Sequence, residues 1–283
     1  MAVILALAAA LLFALGMVLQ AQVASKASEE EARGMGFLVQ LARKPRWLAG
    51  IAADALGFVA QAWALAIGRL VVVQPLLATA VVFALPLNAK MGGKHVSRRE
   101  ILAAIAVTVG LGVFLVVADP TGGVSNPNAT EWIVSFAVCG GISVALVIAA
   151  RGRTPPHRAA MLGTAAGILF GLSAALTKTT VDQFEDGILT MLENWQVYAL
   201  IVVGWVSMTM SQAALQTNAL APAVATQMAL DPIASVLLGT LAFEETIHET
   251  TATVLVCLAA FGVMLVGLVY LALHQDDQPS PSS

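Results

Sequence analysis

Asp231 and Gln227 lie four residues apart in the apolar stretch Leu220–Glu245, so a helix there would present both on one side. A carboxylate midway through a hydrocarbon crossing costs about 2.5–3.5 kcal/mol on insertion scales. Pro232, the next residue, removes a backbone donor and loosens the preceding turn. The chemistry such a group offers is ion or proton exchange, or the grip on a polar solute at the membrane midplane. The plainer alternative is a protonated acid, or one hydrogen-bonded to a neighbouring helix as a packing device.

Other polar side chains sit in apolar surroundings. Asp54 and Gln61, seven apart, share a helix face, and Gln74 precedes Pro75. Pro75 and Pro232 mark the two expected helix breaks. Ser207, Thr209, Ser211, Gln212 and Gln216 fall together in a later stretch, and Thr226 adjoins Gln227. Asp231, Asp54, Gln227, Gln74, Gln61, Gln212 and Thr226 are therefore the candidates to line a substrate or ion path. For the amides the alternative is interhelical hydrogen bonding, worth about 0.6 kcal/mol apiece. Oxygen donors of this kind suit a divalent cation, but two buried carboxylates make a lean site, and a Mg²⁺ ion there would keep several waters. No metal-ligand set is assigned.

The elements that position these residues must cross a bilayer. Of the 283 residues 59% are hydrophobic and 11% charged, less than half the roughly 25% of a soluble domain. Nine apolar runs have spanning length: 2–24, 47–67, 70–90, 98–118, 130–151, 158–181, 194–217, 220–241 and 251–273. The first has no basic residues before it and exceeds a signal-peptide core, so it reads as a retained crossing. Gly34–Arg46 is apolar then basic and too short to cross, which predicts an interfacial amphipathic turn or helix. His274–Ser283 is polar and Pro/Ser-rich, which predicts a disordered tail.

With the amino terminus outside, twelve of the fourteen Lys and Arg residues fall in cytoplasmic loops, leaving Arg69 and Lys178 opposite. The expectation is a multi-pass plasma-membrane protein with its carboxyl terminus in the cytoplasm. Trp47, Trp132 and Trp195 begin crossings and read as headgroup-level anchors. Lys178, near the outer end of its crossing, could pair with an acid but is expected to snorkel to the outer surface. Glu244, Glu245, His248 and Glu249 read as a solvated turn, with the collection of cations at an entrance as the alternative. Cys139 and Cys257 lie in apolar runs and read as small buried hydrophobes.

The chain also echoes itself. Ala10–Gln20 (ALLFALGMVLQ) matches Gly167–Lys178 (GILFGLSAALTK), Gln61 matches Gln212, Gln74 matches Gln227, and Gly110 matches Gly262, at offsets of 157, 151, 153 and 152. Crossings one to four then correspond to six to nine, with the fifth as connector. Five crossings separate each pair, so the halves enter the membrane in opposite directions. The expected fold is an all-α membrane protein with an inverted four-plus-four repeat: residues 1–118, a connector over 119–157, a second repeat over 158–273, and the tail.

These features resemble a known superfamily. The small-helix repeats, the Leu70–Lys90 crossing that runs into a basic turn and Ser97–Glu100 (SRRE), and the Gly-rich fourth and ninth crossings are similar to the drug/metabolite transporter superfamily. The nine-crossing layout, with a basic stretch where a second helix would stand, is closest to the NIPA-like magnesium transporters and the EamA-like permeases. The resemblance implies a carrier fold and transport of small solutes or cations. One departure is that usual members have ten crossings and both termini in the cytoplasm.

Several classes of function are excluded or unsupported. A net charge of −3 with no basic tail gives no reason to expect a nucleic-acid partner. No phosphate-binding Gly-x-x-x-x-Gly-Lys-Ser/Thr loop, His-Glu-x-x-His or Gly-x-Ser-x-Gly occurs, so neither an ATP-driven pump nor an enzyme is expected, and no cofactor. The reading is a secondary carrier that rocks around Asp231 and Asp54. Coupling to protons or a cation is open, because apolar surroundings favour an acid's neutral form and a nearby cation its ionised form. A divalent-cation transporter or channel is the alternative, and a non-transporting scaffold or partner subunit is the alternative from another class. The partners expected are the bilayer and a small-molecule or cation substrate; a homodimer is left open.

Overall fold

The computed structural model describes residues 1–24, 44–92, 96–217, 219–247 and 250–274. The interfacial turn or helix expected within Gly34–Arg46 lies almost wholly outside them, as do the tail after His274 and the residues His248 and Glu249. Among the described residues nine helical stretches are long and apolar enough to cross a membrane. They comprise α1 (Ala2–Ala24), α2 (Pro45–Ile67), a crossing divided into α3 (Leu70–Leu77) and α4 (Ala80–Gly92), and α5 (Arg98–Ala118). After these come α6 (Ala129–Ala149), α7 (Pro155–Glu185), the short α8 (Ile188–Glu193), α9 (Trp195–Leu215), α10 (Leu220–Leu241) and α11 (Thr251–His274). Two-residue strands β1 (Thr121–Gly122) and β2 (Glu245–Thr246) pair antiparallel, Thr121 opposite Thr246.

Local chemistry explains several boundaries. Ser97 caps α5 in a capping box, its hydroxyl accepting from the Glu100 N–H while Glu100 accepts from the Ser97 N–H. Asn128 and Glu131 do the same for α6. The divided crossing breaks at Ala78–Thr79, one turn after Pro75, where the Thr79 hydroxyl donates to Leu76 O at 2.6 Å. No such break occurs at Pro232. The helix runs unbroken through it, which corrects the expectation, because α7 braces α10 closely on both sides of that residue.

That bracing organises the bundle. α7 is 31 residues long, about 46 Å, so it outreaches the hydrocarbon, and it is the most deeply buried crossing. Its Gly163, Gly167 and Gly171 form a stripe against α10. A Cβ on each would stand 2.4 Å from Ala223 O, 2.6 Å from Gln227 O and 2.7 Å from Ala234 Cβ respectively. Lipid tails are as apolar as leucine, so contact between helices rests on such close packing. α5 and α11 meet in the same way, Gly110 against the backbone of Ala260 and Met264, and Gly267 against Ala103 O. α1 packs on α2 and on the divided crossing; α9 and α6 pack on α7. Cys139 and Cys257 are buried free thiols.

Loops 68–69, 119–128 and 242–247 gather at one end of the bundle. Arg69 Nε donates to Gly122 O at 3.2 Å, Val124 N to Phe243 O at 2.8 Å, and the Thr179 hydroxyl of α7 to Ser125 O at 3.0 Å. Trp132 belongs to this end but is not a headgroup anchor. It is 3% exposed, its Nε1 donates to Asn126 Oδ1 at 3.1 Å, and its ring meets Trp195 and Phe243 edge-on. The partner for its N–H is the amide oxygen of Asn126 in the adjoining loop, so the ring packs against the protein instead of standing at the headgroup level.

Candidate functional site

Between the two halves of the chain lies a cavity of about 310 Å³. α1 contributes Phe13 and Met17, α2 Gln61, and the divided crossing Gln74, Leu77, Ala78, Ala80 and Val81. α7 contributes Phe170, α10 contributes Gln227, Met228, Asp231 and Pro232, and α11 Leu268. The wall is mostly apolar, with four polar side chains set in it: Gln61, Gln74, Gln227 and Asp231. The break after Leu77 sets Ala78 on the wall, and Gln227 and Asp231 reach it from one face of α10, as their spacing predicts.

Their hydrogen bonds leave capacity to spare. The Ser235 hydroxyl lies 3.4 Å from Asp231 Oδ1, and among the described residues no cationic side chain pairs with this carboxylate. The Ser211 hydroxyl donates to Gln227 Oε1 at 2.7 Å, which fixes the amide and leaves its NH₂ as the free end. Gln74 is 4% exposed and its Nε2 has no hydrogen-bond partner among the described residues. A buried donor left unpaired costs about 1–3 kcal/mol, so a ligand that supplied an acceptor there would recover it.

Three predicted site residues lie elsewhere. Asp54 is half-buried between α2 and α1, accepts from Gln20 Nε2 and abuts Gly16, so it does not join Asp231. A hydrogen-bond partner on the adjacent helix holds it there. Thr226 donates to Pro222 O at 2.8 Å and to Ala160 O at 3.1 Å, tying α10 to α7. Gln212 is exposed on the outer face of α9.

Sequence reasoning missed a second polar centre. Lys178 is 9% exposed and does not snorkel; its Nζ lies 3.6 Å from Glu245 Oε1 and donates to Gly68 O and Leu65 O. Glu245 is 2% exposed and belongs to no solvated turn: its two oxygens accept from Leu70 N at 2.8 Å and Val71 N at 2.9 Å. A carboxylate at the start of α3 satisfies donors that the helix leaves unpaired. The one signal available was Lys178 itself, a cation in an apolar run. The missed aromatics Phe13 and Phe170 occupy equivalent places in the echoed segments Ala10–Gln20 and Gly167–Lys178.

The chain is 30% identical over 277 residues to an uncharacterized protein of Corynebacterium glutamicum, an alignment that covers 96% of this chain and 94% of that one. It belongs to that protein's family. The aligned length includes both halves of the bundle. No family model matches the chain, and no solved structure matches it.

Proposed function

We propose that this membrane protein is a secondary carrier of the drug/metabolite transporter type, not an enzyme, which moves a small solute or cation by alternating access around the cavity at Asp231. The observation that carries this is the cavity itself. In a mostly apolar wall it holds a carboxylate that, among the described residues, has no cationic partner, and a buried amide donor that has no acceptor. A scaffold has no use for either, since both cost stability.

Cavity chemistry favours an organic solute with a cationic end over a bare divalent ion. One carboxylate and three amides surround about 310 Å³, at the lower end of the roughly 300–1,000 Å³ of small-molecule sites and far more than a bare ion fills. No cluster of three or more His, Cys, Asp or Glu side chains occurs among the described residues. A magnesium-type ion would therefore bind largely through its own waters.

The same reading includes an inverted repeat. α1 packs on α2 and the divided crossing as α7 packs on α9 and α10, while α5 and α11 pack on each other. Two echoed pairs, Phe13 with Phe170 and Gln74 with Gln227, face the cavity. Two others differ: Gln61 lines it while Gln212 faces outward, and Gly110 is in tight contact while Gly262 meets nothing within 4 Å. In the orientation we infer, the end that holds Arg69 and Lys178 faces outside and the amino terminus with it, since the other Lys and Arg residues fall in the opposite loops.

Wild-type protein and Asp231→Asn, reconstituted in liposomes and offered divalent cations, organic cations and neutral solutes with and without a pH gradient, test the proposal. Saturable uptake by the wild type that falls at least tenfold in a well-folded Asn variant is expected. Normal uptake by the Asn variant overturns the role of Asp231, and no uptake of any solute by the wild type returns the scaffold reading.

A further inference from the structure

We infer that Lys178 and Glu245 form the latch that holds the outer mouth of the cavity shut, and that transport requires it to open; the inference rests on the carrier reading. The latch joins four crossings. Lys178 belongs to α7, Glu245 follows α10, the carbonyls that Lys178 grips end α2, and the N–H groups that Glu245 grips start α3. Leu65 is one helical turn from the cavity residue Gln61, and Leu70 is one turn from Gln74. The latch therefore lies about 6 Å above two of the four polar side chains of the cavity and closes the gap between the helices that carry them.

Packing around it is tight. Lys178 Nζ lies 5.8 Å over the Phe243 ring, and a Cβ on Gly239 would meet Glu245 Oε2 at 2.7 Å. Above it the pairing of Thr121 with Thr246 links the loop after α5 to the loop after α10. A buried ion pair suits a closure that must also open. Its mutual attraction is largely offset by the loss of hydration of both charges, so a separated and hydrated state lies close in free energy. The grip has a direction as well, because the N–H groups that open α3 need acceptors and the helix dipole there favours a negatively charged one.

A cross-link above the latch tests the inference in a protein that keeps every latch and cavity residue. Thr121→Cys with Thr246→Cys places two thiols on directly opposed antiparallel positions, within the span of a disulfide, and the native Cys139 and Cys257 are buried. Reduced, the double variant should take up solute like the wild type; oxidised, uptake should fall at least tenfold and return with reductant. Equal uptake in both states overturns the latch and leaves the carrier reading standing. A second readout needs no transport. In an Ala78→Cys background, an impermeant maleimide added from outside should label the cavity wall at least tenfold faster once Glu245→Gln is introduced. If that variant does not fold, Lys178→Met takes its place. Unchanged labelling of a folded variant overturns the latch.

Discussion

Gly167→Ala places one methyl group where α7 meets α10. The added carbon would stand 2.6 Å from Gln227 O, 2.9 Å from Leu230 Cβ and 3.1 Å from Asp231 N. Ordinary contact begins near 3.4 Å, so the helices must part by about 0.8 Å at this point. Two of the three obstacles are backbone atoms and cannot rotate aside. Contacts at Gly163 and Gly171, one turn to either side, are as close and would be loosened together. Overpacking of this kind costs about 1–3 kcal/mol. At roughly 2–4 °C per kcal/mol for a large chain, Tm should fall by about 2–12 °C. The displaced segment carries Gln227 and Asp231, so uptake should fall at least tenfold even at temperatures where the protein is folded. The measurement is thermal unfolding in detergent alongside liposome uptake. Gly141→Ala in α6 is the control, because among the described residues nothing beyond its own stretch of helix backbone lies within 4 Å of the added carbon. If Gly167→Ala melts and transports like Gly141→Ala, the reasoning from close helix approach is refuted.

Glu245→Ala leaves Lys178 buried without its acid and two N–H groups of α3 unpaired, so thermal unfolding should show a loss of about 3–5 kcal/mol, with Glu245→Gln less affected. Trp132→Ala should cost about 3–5 kcal/mol, as removal of a core aromatic does, whereas Trp47→Ala should change Tm far less. Reporter fusions after Ala129 and after Arg153 should score external and cytoplasmic respectively; the reverse pattern would overturn the orientation. Ser211→Ala frees the Gln227 amide to turn, so KM should rise several-fold with little change in Tm.

The nine crossings, the pairing of Gln227 with Asp231 on one face and the echo of Gly167–Lys178 in Ala10–Gln20 are all legible in the amino-acid sequence. Whether a run of residues enters the hydrocarbon depends on its own length and transfer free energy, and the spacing of two side chains on a helix depends on 3.6 residues per turn. Which face a crossing turns inward is another matter. In a soluble helix a polar stripe marks the side that meets water; here lipid and core are equally apolar, and the partner helix decides. Asp54 shows this: its position relative to Gln61 was predictable, but its turn toward Gln20 rather than Asp231 was settled by α1. The inward ring of Trp132 was settled by Asn126 and Trp195. Lys178 and Glu245 stand 67 positions apart and carry no local mark of their pairing. Only packing α2, α3, α7 and α10 at one end brings a cation, an anion and two free backbone donors within reach of one another, and away from water each of those groups needs the others.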